Sequence, residues 1–200
     1  MVLVFASNNA HKLSEVRAIM PEGIEVLSLK DIGFESEIEE TGTTLEENSR
    51  IKARCVAAFI NDRMSASLND EMMIDGVFAD DTGLEIDALG GAPGVYTARW
   101  AGEPAANRKK ALRELEGKDD RNCQFRTVIT LIRPASEIQV EGIVRGRIAE
   151  EEFGEGGFGY DPLFIPNGYD KTFGELPAEL KNSISHRARA LKALVKVLNA

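Results

Sequence analysis

Two adjacent carboxylates, Asp80 and Asp81, follow a short apolar run and precede a hydroxyl residue and a glycine, Thr82 and Gly83. Carboxylate oxygens at the end of a strand commonly bind Mg²⁺, a hard cation that prefers oxygen ligands. Neighbouring side chains of an extended chain point to opposite faces, so we expect the two aspartates to have different roles. One would bind metal, while the other orients a ligand, a lysine or a water. Because these are also ordinary turn residues, a solvated turn at Gly83 is the alternative.

A second polar stretch, residues 7–12, lies between a predicted buried strand at residues 2–6 and a helix. Loops at the carboxyl ends of strands are where α/β sheets bind ligands. The backbone N–H groups at the start of the helix, together with Lys12, can hold a phosphate. The simpler interpretation is that Ser7 and Asn9 cap the helix and that Lys12 is a surface residue.

A long helix is predicted to begin at residues 41–44 and to continue to about Met64. Thr44 and Glu47 have the spacing of a capping box, so Glu47 either caps this helix or faces the same cleft as the aspartates. Lys52 lies roughly one and a half turns further on, where a surface ion pair is the ordinary role. The apolar stripe of the helix is predicted on Ile51, Cys55, Ala58 and Phe59.

The remaining pattern predicts further strands and helices in alternation. Val, Ile and Phe at period two predict a central strand and its hairpin partner, whereas residues with helical spacing predict two later helices. The predicted elements are strands at 25–29, 123–133, 137–149 and 163–165, a loop at 61–76, helices at 105–116 and from Ser185 to the end, and at most a short helix at 177–181. Arg108, Lys109 and Lys110 form a basic patch that we interpret as a solvated helix face.

Two late stretches carry residues that suit a nucleotide ligand. Residues 154–161 are rich in glycine, and Phe158 or Tyr160 can present a ring for base stacking, unless the stretch is only a flexible connection. His186 and Arg187 fall in the first turn of the last helix, with Ser185 as its N-cap. Cations are disfavoured at that end of a helix, which indicates an anionic or hydrogen-bonding partner.

Composition narrows the class of protein. The 200 residues are 43% hydrophobic and carry a formal net charge of −9, so we expect one domain or two joined lobes and no general nucleic-acid surface. No apolar run approaches the roughly 18 residues of a membrane span, and the first residues lack the pattern of a secretory signal. A cytosolic location is therefore expected, with Cys55 and Cys123 as buried free thiols.

Five separated stretches together resemble one family, the inosine triphosphate pyrophosphatases, which hydrolyse non-canonical purine nucleoside triphosphates. The resemblance covers nearly the whole chain, and its specificity comes from the order and spacing of the stretches. They are residues 7–12, 41–48 (Thr-Gly-Thr-Thr-Leu-Glu-Glu-Asn), 79–85 (Ala-Asp-Asp-Thr-Gly-Leu-Glu), 157–162 (Gly-Phe-Gly-Tyr-Asp-Pro), and Lys181 with Ser185-His186-Arg187.

The resemblance implies an α/β fold with an elongated, mixed, twisted sheet flanked by helices. It implies a single nucleotide pyrophosphatase domain over residues 1–200, with two lobes, a central active-site cleft and a homodimeric assembly. It also implies Mg²⁺-dependent hydrolysis of ITP, dITP and XTP to the monophosphate and pyrophosphate. The related Maf-type pyrophosphatases are the alternative, but the Ser-His-Arg and Phe-Gly-Tyr-Asp segments favour the first family.

The resemblance also implies a role for each matched residue. Glu47 and Asp81 match the metal-binding carboxylates, and Asp81 also matches the residue proposed as proton acceptor. Without the resemblance, either Asp80 or Asp81 could activate water. The predicted substrate contacts are Ser7, Asn8, Asn9, Ala10, His11, Lys12, Thr82, Phe158, Gly159, Tyr160, Asp161, Lys181, His186 and Arg187, and Lys52 is added because its charge can offset a triphosphate.

Two residues depart from the family pattern. Thr82 stands where the family usually has serine; the hydroxyl is kept, so we expect activity to survive. Ala188 stands where glycine is frequent. Arg187 and His186 are hydrogen-bond donors suited to the 6-oxo group of hypoxanthine or xanthine, and the 6-amino group of adenine would face the same donors. How guanine is excluded does not follow from these residues.

Overall fold

The computed structural model describes residues 1–66 and 73–199. Within that part of the chain, no helix combines the length and the apolar content that crossing a bilayer requires. The strands are β1 Val2–Phe5, β2 Glu25–Leu27, β3 Gly76–Ile86, β4 Pro93–Gly94, β5 Asn122–Arg133, β6 Ser136–Ile148 and β7 Phe164–Pro166. The helices are α1 Ala10–Ile19, α2 Leu45–Ala66, α3 Pro104–Glu114, α4 Ala178–Ile184 and α5 His186–Leu198.

The strands form one mixed sheet in the order β2-β1-β3-β5-β6-β7, with β4 paired to β3. β1 runs parallel to β2 and to β3, with Phe5 opposite Phe78. β4 is antiparallel to β3, and β7 is antiparallel to β6. The prediction of a mixed sheet with flanking helices is therefore confirmed.

The chain divides into two compact units, and the boundary falls at the peptide bond between Asp81 and Thr82, inside β3. Unit 1 comprises residues 1–81, 128–141 and 190–200, and unit 2 comprises residues 82–127 and 142–189.

Unit 1 places helices on both faces of its strands. Leu3, Phe5 and Phe78 pack with α1 and with Leu191 and Leu194 of α5. On the opposite face of the strands, Val4, Val77 and Ala79 alternate with these residues. They pack against Ala53, Val56 and Ile60 of α2.

Unit 2 has its own core, formed by the second half of β3, the first half of β5, and α3. The ring of Phe164 packs against Phe125 and Phe173 there, with centroid distances of 4.8 and 5.1 Å. Leu84 and Ile86 of β3 are fully buried in the same core. The last helix is predicted to bury Leu191, Leu194, Val195 and Leu198. Leu191, Leu194 and Leu198 are buried, Val195 is half-buried, and all four belong to unit 1.

Several local predictions are wrong. The chain does not turn at Gly83, because β3 continues without interruption to Ile86. The buried stripe of α2 is shifted, since Ala53, Val56 and Ile60 are buried while Cys55 is exposed. The prediction of a buried thiol is correct for Cys123 alone.

Other element ends also differ from the expected ones. The loop predicted at 61–76 is helical up to Ala66, and its residues 67–72 lie outside the described residues. The short helix near residue 180 extends over Ala178–Ile184. Strands β5 and β6 lie within one residue of their predicted ends.

Candidate active site

The alternation of β3 sends Asp80 and Asp81 toward different helices. Phe78 and Asp80 share one face of the strand, the face covered by α1 and α5, and Asp81 shares the other with Ala79, against α2. Both carboxylates are buried, with Asp80 only 1% exposed. The two aspartates also have different lysine partners, Lys12 for Asp80 and Lys52 for Asp81, and their expected roles stay predictions.

Asp80 holds a lysine of α1. The Nζ of Lys12 donates to Asp80 Oδ1 at 2.9 Å, and the lysine side chain is 14% exposed. A largely buried lysine that is paired with a carboxylate has a restricted position. Lys12 is therefore a fixed cation at the start of α1, and the interpretation as an ordinary surface lysine is wrong.

Asp81 is linked to α2 by two contacts. Lys52 Nζ donates to Asp81 Oδ1 at 3.2 Å, and Asn48 Nδ2 donates to Asp81 Oδ2 at 3.4 Å. Lys52 also pairs with Glu40, at 3.2 Å, and is buried, so its ion pair is not the surface pair that the spacing indicated.

Burial and charge act against each other in this cluster. Burial raises the pKa of Asp81, and the neighbouring lysines, Lys52 and Lys12, only partly offset that rise. Burial alone would lower the pKa of Lys52, but Asp81, Glu40 and Asp80 outweigh it and raise the pKa. The result is a protonated lysine beside a carboxylate that is more basic than an exposed aspartate.

Glu47 lies at the start of α2 and accepts hydrogen bonds from Thr43. Its Oε2 accepts from the backbone N–H of Thr43 at 2.7 Å and from the Thr43 hydroxyl at 2.9 Å. Thr44 Oγ1 accepts from the N–H of Glu47 at 3.1 Å, so half of the predicted capping box is present. The Thr43 N–H lowers the pKa of Glu47, whose side chain is exposed and ionised at neutral pH.

The loop at residues 7–12 begins α1 as predicted. Asn9 is the N-cap and its side chain accepts from the N–H of Lys12 at 3.1 Å, while Ser7 Oγ accepts from the N–H of Asn9 at 3.2 Å. Asn8, Ala10 and His11 are exposed in the same turn. The capping interpretation is confirmed, and capping leaves the phosphate interpretation open because the first four N–H groups of a helix have no intrahelical partner.

The carboxylates suit Mg²⁺ chemically but do not form a complete protein site. In the part of the chain that the structure describes, no three His, Cys, Asp or Glu side chains come together in a group that could hold a metal ion. Mg²⁺ is usually bound by one or two carboxylates, with waters and substrate phosphates as the other ligands. Glu47 and Asp81 provide oxygen donors of the type that Mg²⁺ prefers, and their binding of a metal stays a prediction.

A separate cluster in unit 2 surrounds Arg187. This guanidinium is 1% exposed, and its Nη2 donates to Thr82 Oγ1 at 3.3 Å. Thr82 Oγ1 also shares a hydrogen bond with Thr127 Oγ1, at 2.8 Å. The side chain of Thr82 thus contacts Arg187 through the hydroxyl that a serine would also provide.

Phe158 is bordered by two cations. Lys181 Nζ lies 4.8 Å from the centre of its ring, and Arg187 Cζ lies 5.7 Å from it. Lys181 is buried and donates to Asp161 Oδ2 at 2.6 Å, and the same oxygen accepts from the Phe158 N–H at 2.6 Å. The half-buried ring therefore has a fixed backbone and cationic neighbours.

The other predicted residues of unit 2 are parts of its core. Tyr160 is buried and its hydroxyl donates to the carbonyl of Thr97 at 3.2 Å. His186 stacks on Phe125 with ring centroids 4.5 Å apart. Ser185 caps α5 as predicted, because its Oγ accepts from the N–H of Ala188. These positions are compatible with indirect roles in binding, and their predicted substrate contacts stay predictions.

Two side chains of the unit 1 cluster were missed from the sequence. Glu40 belongs to an irregular acidic segment, where one glutamate looks like any other, and it is found only through its pairing with Lys52. Asn48 follows Glu47 directly and is fully buried. A polar amide on the inner face of a predicted helix was the available signal for Asn48.

Comparison with known proteins gives a consistent result over the full length. The model of the Ham1 family matches residues 3–197. A dITP/XTP pyrophosphatase of Flavobacterium johnsoniae is 45% identical, with 100% of this chain and 99% of that protein covered. A dITP/XTP pyrophosphatase of Bacillus subtilis is 48% identical, with 98% and 96% covered.

Solved structures agree with the sequence relatives. The structure of the Staphylococcus aureus Ham1 protein is similar with a TM-score of 0.84 at 38% identity, and 100% of this chain and 98% of that chain are covered. Sequence and fold therefore point to the same group of proteins.

Proposed function

This chain belongs to the Ham1 family, and we propose that it hydrolyses non-canonical purine nucleoside triphosphates to the monophosphate and pyrophosphate. Two of the proposed substrates, dITP and XTP, follow the names of relatives that are 45% and 48% identical over nearly the whole chain. ITP is added because it carries the same base as dITP. The observation that carries the proposal is the alternation of β3, which gives Asp80 and Asp81 a lysine each on opposite faces of one strand.

Asp81 is assigned to activate the attacking water. The water oxygen forms a bond to the α-phosphorus, its proton passes to the Asp81 carboxylate, and the bond to the β-phosphate breaks so that pyrophosphate leaves. Burial raises the pKa of Asp81, which makes its carboxylate a stronger base than an exposed aspartate. Lys52 Nζ at 3.2 Å and Asn48 at 3.4 Å restrict the orientation of that carboxylate.

Lys12 is assigned to the phosphates. A nucleoside triphosphate carries about four negative charges, and stabilising them is most of the work in phosphoryl transfer. Asp80 fixes the Lys12 ammonium at 2.9 Å next to the N-terminus of α1, where Ser7 to His11 offer backbone and side-chain donors. Asp80 acts in this scheme as a positioning residue.

Glu47 and Asp81 are assigned to Mg²⁺, with substrate phosphates as further ligands. When bound, the ion would neutralise phosphate charge as the leaving group departs. Glu47 is ionised and exposed, and Asp81 supplies a second hard oxygen donor on the adjacent strand. We also propose that the protein is a homodimer and that it acts in the cytosol.

Unit 2 is assigned to the base. The ring of Phe158 offers a stacking surface, and the donors of Arg187 and His186 suit the 6-oxo group that hypoxanthine and xanthine share. Adenine would present a 6-amino donor to those donors and would leave them unsatisfied. Exclusion of guanine requires rejection of its 2-amino group in addition.

The decisive experiment measures pyrophosphate release from ITP, XTP, dITP, ATP, GTP and UTP, each with Mg²⁺ and with EDTA. We expect Mg²⁺-dependent turnover of ITP, dITP and XTP and slow turnover of the others. Absence of that turnover would refute the proposal, and a preference for UTP would favour the Maf-type alternative.

A further inference from the structure

Phe158 sits in a turn with little intrinsic rigidity. The glycines on either side of it, Gly157 and Gly159, have φ values of +73° and +63°, a region that glycine enters at low cost. Such a backbone has many accessible conformations unless contacts restrict it. The orientation of the Phe158 ring therefore depends on what holds the turn.

Part of the restraint comes from within the turn. Asp161 accepts from the Phe158 N–H at 2.6 Å, and its own N–H donates to the Phe158 carbonyl at 3.1 Å. These bonds close the loop on itself. They orient the turn relative to Asp161 and leave the carbonyl of Gly159 for another donor.

That donor is Arg108 of α3. Its Nη1 donates to the Gly159 carbonyl at 2.9 Å, and its Nε lies 2.9 Å from Glu152 Oε2 in an ion pair. The planar guanidinium can contact two groups at a fixed angle, which a lysine cannot. The side chain is 17% exposed, so it is not part of the solvated face predicted for residues 108–110.

The helix that carries Arg108 is itself restrained at its start. Asn107 accepts from the N–H of Ala101 and donates to the carbonyls of Ala98, at 3.0 Å, and Thr97, at 3.4 Å. Asn107 is buried. Arg108 therefore extends from a part of α3 that is attached to the neighbouring loop.

We propose that Arg108, held by Glu152, is a positioning residue that fixes the Phe158 turn in the conformation that receives the base. This inference rests on the proposed function, because it assigns the base to Phe158. Arg108 contacts the backbone of the turn, and its effect on substrate passes through Phe158.

The kinetic test compares R108M, R108K and K109M. K109M is the matched control, since it removes a neighbouring positive charge that is exposed on the same helix. For R108M we expect the KM for ITP to rise about fivefold with kcat unchanged, because the ring contributes equally to ground state and transition state. R108K should lie between R108M and the unaltered protein, and K109M should match the unaltered protein.

Hydrogen exchange detected by mass spectrometry gives a readout that does not need activity. Peptides covering residues 153–161 should exchange faster in R108M and no faster in K109M. R108K, which keeps a cation beside Glu152, takes the place of R108M if the latter does not fold. If these peptides exchange no faster in R108M than in the unaltered protein, Arg108 does not restrain the turn. If they exchange faster but the KM for ITP is unchanged, Arg108 does not position the turn for the base. Failure of the unaltered protein to hydrolyse ITP would instead refute the proposed function, while exchange would still decide whether Arg108 anchors the turn.

Discussion

Among the described residues, the ion pairs at Asp80 and Asp81 in unit 1 join two lysines and three carboxylates, Lys12 and Lys52 with Asp80, Asp81 and Glu40. Around Phe158 in unit 2 lie two cations and one carboxylate, Lys181 and Arg187 with Asp161. The first set has an excess of negative charge and contains oxygen donors of the kind that bind a hard cation. The second has an excess of positive charge beside an aromatic ring.

The contrast teaches that buried charge has different uses in the two units. Each aspartate of β3 is paired with a lysine from a helix, which fixes the orientation of a group that can react or bind metal. In unit 2, Asp161 joins Lys181 to the backbone of Phe158, so the ion pair shapes a binding surface. Under the proposed function, residues of unit 1 are assigned to the chemistry and residues of unit 2 to the selectivity.

The largest effect that would test this division is expected from Asp81→Asn. Loss of the proton acceptor should lower kcat for ITP by about a thousandfold, within the range of general-base catalysis. Steady-state pyrophosphate release at saturating ITP and Mg²⁺ measures it, and circular dichroism controls for the fold. A kcat near that of the unaltered protein would remove Asp81 from the role of base.

A second, intermediate effect is expected on the free energy of unfolding, for two ion-paired carboxylates that differ in burial. Asp161→Asn leaves the buried Lys181 without its counter-charge and should reduce the free energy of unfolding by about 3 kcal/mol. Glu137→Gln alters a half-exposed pair with Arg50 and Arg54 in unit 1, and should cost about 1 kcal/mol or less. Thermal or urea unfolding of both variants measures the difference.

The effect of Glu137→Gln on the free energy of unfolding should depend on pH. Hydrogen bonding from Arg54, and then from Arg50, lowers the pKa of Glu137. The pairing of Glu137 therefore stabilises the protein fully at a pH above the pKa of this residue in the unfolded chain. That stabilisation is lost as the pH falls through the lower pKa that Glu137 has in the folded protein. The cost of Glu137→Gln should vanish in acid, and equal costs for the two variants at neutral pH would contradict the contrast in burial.

The smallest effect on catalysis is expected in selectivity, from Arg187→Ala. Removing a donor to the 6-oxo group should reduce the ratio of kcat/KM for ITP over ATP by about tenfold. Initial rates with each nucleotide at fixed Mg²⁺ give that ratio. If the ratio is unchanged while both rates fall, Arg187 supports the fold of unit 2 and does not read the base.

The sequence predicted the centre of the site better than its surroundings. Alternation along a strand is local geometry, and it correctly separated Asp80 from Asp81 before their partners were known. The capping roles of Asn9 and Ser185 are equally local, and both are present. The order of the strands around β3 needed the fold, because pairing joins segments that are distant in the chain.

The errors share a physical cause. The apolar stripe of α2 was predicted on the wrong residues because Asn48, Ser49 and Lys52 lie on the buried face of the helix. A prediction from hydrophobic spacing assigns polar residues to the exposed face. The turn at Gly83, which was the alternative interpretation, is absent because β3 passes through that residue. Arg108 was assigned to solvent because its partners, Gly159 and Glu152, lie more than forty residues away.

Gly157 shows that exposure is a poor guide to mutational tolerance in this protein. The residue is exposed, yet a methyl group on its Cα would overlap Asp161 Oδ2, the atom that also binds Lys181 and the N–H of Phe158. An alanine there would displace a buried carboxylate from both partners, besides straining a backbone with φ of +73°. In a library of all single substitutions, position 157 should be as intolerant as the fully buried positions of the sheet.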